Sequence, residues 1–286
     1  MSTKNIKDTL RENQISVKKR FGQNFLLDKN ILSKIIDVSN IDEETLVVEI
    51  GPGLGSLTEG LIKKAKHVLA YEIDHQLIPV LQKAFKGENL TLIHDDILKR
   101  NIDQDIEALN LNYQAVVVVA NLPYYITTPI LMKCLEESKL IQKMVVMMQY
   151  EVAKRITALT ETKDYNALSV GIQYRAKTKL AFKVPRSVFM PPPNVDSAVV
   201  TLDFYEEPPV AIDSENVFFQ LVKSAFKQRR KTILNNLSVE YQIDKERLIK
   251  HLETCDIFPQ RRAETLSLLE FATLANYFYK LDDVKK

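Results

Sequence analysis

A chain of 286 residues with net charge +2, 45% hydrophobic and 27% charged residues, has an ordinary globular composition and is long enough for one large domain plus a smaller one. No apolar run approaches the roughly 18 residues of a membrane span, and the polar, mixed-charge stretch 1–14 does not read as a secretory leader. Two cysteines in unrelated contexts and four histidines, with no Cys/His cluster, support neither a disulfide framework nor a metal site, so the expectation is a cytoplasmic protein without metal or membrane contact.

Residues 1–17 carry no motif and read as an N-terminal arm; the basic run Lys18, Lys19, Arg20 follows. Short apolar or β-branched runs then recur at 46–50, 68–73, 90–94, 115–120 and 144–148, the pattern of buried parallel strands. Between them, 57–66, 76–85 and 129–137 have helical spacing of apolar positions. Strand and helix in alternation predict a Rossmann-like, doubly wound α/β sheet. Two later runs, 180–184 and 198–204, flank Pro191-Pro192-Pro193 and fit an antiparallel pair at one sheet edge. Glu206-Glu207-Pro208-Pro209 reads as a linker, and helices are expected at 217–237, 245–255 and 263–280. The resulting division is an α/β domain, 1–207, expected to carry any catalytic site, and a smaller helical domain, 208–286. Lys223, Lys227, Arg229, Arg230 and Lys231 form a run with no acid among them, either a solvated helix face or an RNA contact.

Glu49-Ile50-Gly51-Pro52-Gly53-Leu54-Gly55 follows the first strand of the sheet and opens a helix. Glycines there allow a tight turn and a close ligand approach. The Gly-x-Gly-x-Gly spacing differs from the dehydrogenase form, and the proline inside it favours a ligand without phosphates, such as S-adenosylmethionine. Glu72 ends the next strand roughly 20 residues past Gly51, where nucleotide folds place the carboxylate that binds ribose hydroxyls. Asp74 reads as a helix N-cap. At the end of the third strand Asp96, or alternatively its neighbour Asp95, offers a carboxylate to an adenine amine, and His94 reads as structural.

Asn121-Leu122-Pro123-Tyr124 follows the most apolar strand, at the carboxyl edge where such sheets bind substrate. An adenine amine is a poor nucleophile because its lone pair is delocalised into the ring. The Asn121 side-chain oxygen and the Leu122 carbonyl, both accepting from that amine, would localise the lone pair. Pro123 restricts the backbone, and Tyr124 offers a flat face to an extruded base. Phe189, ahead of the Pro-rich turn, suits a second stacking face, although such an aromatic taken alone more often packs in a core.

Together these residues resemble the ribosomal RNA adenine dimethyltransferase family, and within it the bacterial small-subunit branch. The likeness spans nearly the whole chain. It includes Lys19-Arg20-Phe21-Gly22-Gln23-Asn24-Phe25-Leu26-Leu27-Asp28, the Asn121–Tyr124 segment, Phe189 with Pro191-Pro192-Pro193-Asn194-Val195-Asp196-Ser197, and Arg262-Ala263-Glu264-Thr265-Leu266-Ser267. Ala263 stands where the family often has proline. The resemblance implies a class I methyltransferase sheet. It also implies cofactor contacts from Asn24 and the Leu26 backbone beside Gly51, Glu72, Asp96 and Asn121, and catalysis by Asn121, Leu122, Tyr124 and Phe189. The implied reaction is dimethylation of two adjacent adenines in a hairpin loop near the 3′ end of 16S rRNA, by a monomer acting on an assembling small subunit. Three other readings compete: a sister enzyme for large-subunit RNA, a nicotinamide-dependent dehydrogenase, and a non-catalytic nucleic-acid-binding module. The glycine spacing speaks against the second, and intact Asn121 and Tyr124 against the third.

Overall fold

The computed structural model describes residues 11, 15 and 23–281. The N-terminal arm apart from Arg11 and Ile15, the run Lys18–Arg20, and residues 19–22 of the first motif lie outside the described residues. The chain forms two compact units: residues up to Ala153 with 177–204, and residues 154–176 with 205–286.

The first unit contains β1 (Phe25–Leu26), α1 (Lys29–Ser39), β2 (Thr45–Ile50), α2 (Thr58–Leu61), β3 (His67–Glu72), α3 (Ile78–Ala84) and β4 (Leu90–His94). It continues through α4 (Ile102–Glu107), β5 (Ala115–Asn121), α5 (Thr127–Glu137), β6 (Ile141–Gln149), β7 (Ala176–Val184), β8 (Phe189–Met190) and β9 (Ser197–Phe204). Seven strands form one sheet in the order β4-β3-β2-β5-β6-β9-β7, and β1 pairs separately with β8. β2 runs parallel to β3 and β5, β3 to β4 and β5 to β6, whereas β9 is antiparallel to β6. The expected partnership of the two late runs holds, with β7 as the edge and β9 inside it.

Continuous apolar strands follow from burial on both sheet faces: Val116 to Ala120 of β5 are all at most 5% exposed. Helices start where a side chain satisfies free N–H groups; Asp28 accepts from Asn30 N at 2.8 Å and Ile31 N at 3.1 Å to open α1. Parallel pairing sets Ile50 level with Tyr71 and Glu72 level with His94. The loops after β2, β3, β4 and β5 therefore leave the same sheet edge. The order reverses at β2, whose neighbours are β3 and β5, and such a reversal opens a crevice at the carboxyl ends.

The second unit is helical: α6 (Tyr150–Ile156) leads into it, and α7 (Ala167–Arg175), α8 (Glu215–Ala225), α9 (Ile233–Tyr241), α10 (Lys245–Thr254) and α11 (Leu268–Tyr279) follow. It departs from the continuous division at 207/208, because residues 154–176 belong with the C-terminal helices. Val170 and Tyr174 of α7 share a core with Phe218, Leu221 and Leu274, and the Tyr174 ring lies 5.1 Å from that of Phe218. An apolar helix needs an apolar partner, but its own periodicity does not say which of two cores supplies one.

The helix expected over 217–237 is two helices. Asn236 donates to the Ala225 and Gln228 carbonyls at 2.6 and 3.2 Å, satisfying the end of α8, while the Thr232 hydroxyl accepts from Asn235 N at 3.3 Å to start α9. The basic run is thus split, with Lys223 on α8 and the rest in the turn before Thr232. The last helix begins at Leu268 and not at 263. Ser267 and Glu270 form a reciprocal capping box there, and residues Ala263–Thr265 make a separate 3₁₀ turn. No helix among the described residues is long and apolar enough to cross a membrane. Among them there is also no group of three or more His, Cys, Asp or Glu able to hold a metal ion.

Candidate active site

A cleft of about 1080 Å³, counting its open mouth, lies where β2 to β5 end. Its walls include Asn24, Leu26, Gly51, Glu72, Asp95, Asp96, Asn121, Leu122 and Tyr124, so one space gathers residues spread over a hundred positions of chain. Gly51 has φ +69°, and its N–H donates to the Tyr71 carbonyl at 2.9 Å. A Cβ added there would meet nothing within 4 Å. The glycine is required by its backbone angle, and the space before it is open cleft. At Gly55, φ +81°, a Cβ would stand 2.4 Å from the Phe85 ring, so that glycine lets the loop pack closely.

Glu72 is 4% exposed. One carboxylate oxygen accepts from Gly53 N at 3.1 Å and the other from Asp74 N at 2.8 Å, which leaves a lone pair on each. Burial raises its pKa, those two N–H groups counter the rise, and the nearby Asp74 charge adds to it. Asp74 is not the N-cap of α3. It accepts from Gln76 N at 3.1 Å in the turn before that helix, and from the Gln23 side chain at 2.8 Å. Glu49 also lines the cleft, a residue whose side chain the sequence reading passed over. Burial pushes its carboxyl up to about 8, against a 2.7 Å hydrogen bond from Thr58.

After β4 the two aspartates take different partners. Asp95 accepts from Asp96 N at 2.7 Å and lies 3.7 Å from the Arg100 guanidinium. Arg100 Nε also donates to Asp105 at 3.0 Å, and Asp105 in turn accepts from the buried Tyr71 hydroxyl at 2.9 Å. Asp96 accepts from Leu98 N with one oxygen at 3.0 Å. Asp95 is therefore tied into a scaffold, and Asp96 retains an oxygen for the cleft. His94 is exposed and does not line the cleft.

The Asn121 amide nitrogen donates to the Asn24 carbonyl at 3.1 Å. A carbonyl oxygen only accepts, so this bond orients the amide, and no described residue donates to its Oδ1. Leu122 N donates to the Met147 carbonyl at 3.0 Å, anchoring the segment to β6. Pro123 O receives Ile126 N at 3.2 Å and the Thr127 hydroxyl at 3.0 Å, so the turn runs directly into α5. The Tyr124 hydroxyl shares a 2.6 Å hydrogen bond with the buried Ser197. Burial raises the Tyr124 pKa more than that bond lowers it, so the phenol stays protonated at neutral pH.

Phe189 is the residue the structure does not bring into the cleft. It is 3% exposed, level with Leu26 in the β1–β8 pair, and packed in the core with Leu26, Ile35 and Val184. Strand pairing turns its ring inward, and an aromatic ahead of a proline turn carries no signal of that direction. The aromatic exposed at the cleft is instead Tyr125, 52% accessible, which the sequence reading did not single out.

The family profile described as "Ribosomal RNA adenine dimethylase" matches residues 14–280. The chain is 46% identical to the "Ribosomal RNA small subunit methyltransferase A" of Bacillus pumilus, over 96% of this chain and 95% of that one. It is 50% identical to the protein of the same name from Staphylococcus carnosus, over 95% and 93%. Among solved structures, a dimethyladenosine transferase from Plasmodium falciparum is similar with a TM-score of 0.74 and 28% identity, covering 90% of this chain and 98% of that one. The Asn121–Tyr124 segment beside a glycine-loop cleft and a profile match over most of the length lead to one assignment: the chain belongs to the ribosomal RNA adenine dimethylase family and is an S-adenosylmethionine-dependent methyltransferase that dimethylates adenine in ribosomal RNA.

Proposed function

We propose that the chain acts as a monomer and dimethylates the N6 amines of two adjacent adenines in a 3′-terminal hairpin loop of 16S rRNA, late in small-subunit assembly. The small-subunit wording of the relatives' name supports the choice of RNA. The observation that carries the chemistry is the Asn121–Asn24 hydrogen bond, which leaves an oriented oxygen acceptor in the cleft.

S-adenosylmethionine, when bound, supplies a methyl carbon activated by positive sulfur. The residues present fit it: Glu72 keeps an unused lone pair on each buried oxygen for ribose hydroxyls, and the open space before Gly51 admits a ligand against the backbone. Asp96 would accept from the cofactor's adenine amine, with Asn24 and the Leu26 backbone closing the near side. Asn121 Oδ1 and the Leu122 carbonyl accept the hydrogens of the target amine and expose its lone pair, while the Tyr124 ring supports the base. Because the Tyr124 phenol stays protonated, it anchors and does not act as a base; the amine's proton leaves to water after transfer. Phe189 could serve as the second face only by leaving the core, so Tyr124 is the stacking surface in this arrangement.

The helical unit offers an RNA contact in its basic turn. Lys223, Arg230 and Lys231 are exposed and have no acidic partner among the described residues, whereas Lys227 pairs with Glu240. Neutralising Arg230 and Lys231 should flatten the salt dependence of RNA binding.

The test uses small subunits lacking the methyl mark, with modified nucleotides mapped by mass spectrometry. Wild-type protein should dimethylate both adenines. Asn121→Ala should lose roughly 100-fold or more in kcat, the scale of removing one preoriented polar contact, with cofactor titration showing a folded cleft. Transfer at wild-type rate in that variant, or a mark elsewhere in the RNA, would overturn the reading.

A further inference from the structure

Three segments of the helical unit are bonded to one another at its surface. Ile233 N donates to the Arg261 carbonyl at 2.7 Å, Leu234 N to Pro259 O at 3.4 Å, and Glu161 N to Glu264 O at 2.8 Å. Arg229 donates to the Lys163 carbonyl. The basic turn before α9, the loop 256–264 and the segment 158–164 therefore form one continuous face.

Phe258 stands on that face, 73% exposed, between Ile257 and Pro259, which are both buried. The loop beneath it is rigid. Ile257 N donates to Leu252 O at 2.9 Å and Arg261 N to the Phe258 carbonyl at 3.1 Å, while the Arg261 guanidinium is held by Glu270. Leu159, 74% exposed, is presented by the neighbouring segment. The exposed cations Lys163, Arg230, Lys231 and Arg262 on these segments outnumber the exposed acids Glu161 and Asp256, and of the four cations only Arg262 has an acid of the described residues within 4.0 Å, Glu264.

We infer that Phe258 is a stacking platform for one unpaired nucleotide of the ribosomal RNA, whose flanking phosphates lie on Arg230 and Lys231. A flat apolar ring held outward costs free energy unless something covers it, and cations around it select an anionic partner that also presents flat, apolar faces. Single-stranded RNA meets both demands, because every base has a π-face and every link a phosphate. The rigid loop means that little ordering entropy opposes the contact. This inference rests on the reading that the basic turn contacts RNA, and it adds a residue of a different chemistry to that contact.

The test measures binding of the full-length protein to protein-free 16S rRNA and to unmethylated small subunits across a range of salt. Phe258→Ala should weaken binding about tenfold on both, the scale of one base–aromatic contact. The salt slope should stay unchanged, because no charge is lost. Phe258→Tyr should bind as wild type, and Phe258→Leu, apolar but without a π-face, should behave as the alanine variant. Full affinity in Phe258→Leu, or a loss seen only on subunits, would mean an apolar protein contact and overturn the inference. If Phe258→Ala binds normally while neutralising Arg230 and Lys231 still flattens the slope, the stacking role fails and the basic contact stands. If neither change has an effect, both fail.

Discussion

Replacing Tyr124 by phenylalanine separates two jobs that the side chain performs. The ring is available to a base, and the hydroxyl fastens the ring to Ser197 through a 2.6 Å hydrogen bond. Ser197 is fully buried, so Tyr124→Phe removes the bond and also strands a buried hydroxyl, at a cost of about 1–3 kcal/mol. Ser197→Ala leaves the hydroxyl of Tyr124, a less buried residue than Ser197, without that partner and should cost less, about 0.5–1.5 kcal/mol. The double variant should be more stable than Tyr124→Phe alone, since removing both partners leaves nothing stranded, which requires a coupling larger than the Ser197→Ala cost, about 1–2 kcal/mol. Urea midpoints followed by circular dichroism measure the cycle, and kcat/KM on unmethylated subunits measures the chemistry. Tyr124→Phe should keep transfer within a few-fold of wild type, whereas Tyr124→Ala should lose about 1–3 kcal/mol of base capture. Equal losses of transfer in the phenylalanine and alanine variants would refute the division of labour. Additive stabilities would refute the bond.

Glu49→Gln tests the buried carboxyl beside the cleft. Its pKa is raised by folding to about 8. The folded chain therefore holds a proton that the unfolded chain releases earlier, and wild-type stability is lost as pH rises from about 4.3 through that value. Glutamine keeps the Thr58 hydrogen bond and cannot ionise. The variant's advantage in urea midpoint should grow between pH 5 and the alkaline side of neutrality, and parallel pH profiles would count against the burial argument. Arg100→Gln should weaken binding of S-adenosylhomocysteine several-fold by freeing Asp95, without touching RNA affinity; an unchanged titration would mean that the Asp95–Asp96 loop holds itself.

The sheet was legible because its signal is local. Runs such as 115–120 are uniformly apolar, and burial on both faces of a parallel strand leaves no other pattern. The cleft was legible for a related reason: once the strands are parallel, whatever follows their ends shares one edge, so Gly51, Glu72, Asp96 and Asn121 had to meet. What depended on side-chain direction was not legible. Phe189 and Tyr125 are both aromatics beside a proline-containing turn, and only strand pairing puts the first in the core, while the turn from Pro123 into α5 leaves the second at the cleft. Relays through sequence-distant partners, such as Tyr71–Asp105–Arg100–Asp95, leave no trace in spacing. The break in the 217–237 helix is carried by Asn236, whose role as a cap for the preceding helix is visible only after the turn exists. The same holds for α7, whose apolar residues did not reveal which core they join.

That placement of α7 has a consequence for the order in which the protein can mature on the ribosome. The segment 154–176 is synthesised before β9, the strand that flanks β6 in the first unit, and long before Phe218, Phe271 and Phe278 of its own core. During translation Val170 and Tyr174 are made before the C-terminal helices they pack against, and the chain first returns to finish the sheet. A gene fragment starting at residue 208 would omit them, leaving the Phe218 and Phe219 rings without the Tyr174 contacts at 5.1 and 5.8 Å. The core of the helical unit is therefore completed in synthesis only after every strand of the sheet has been made.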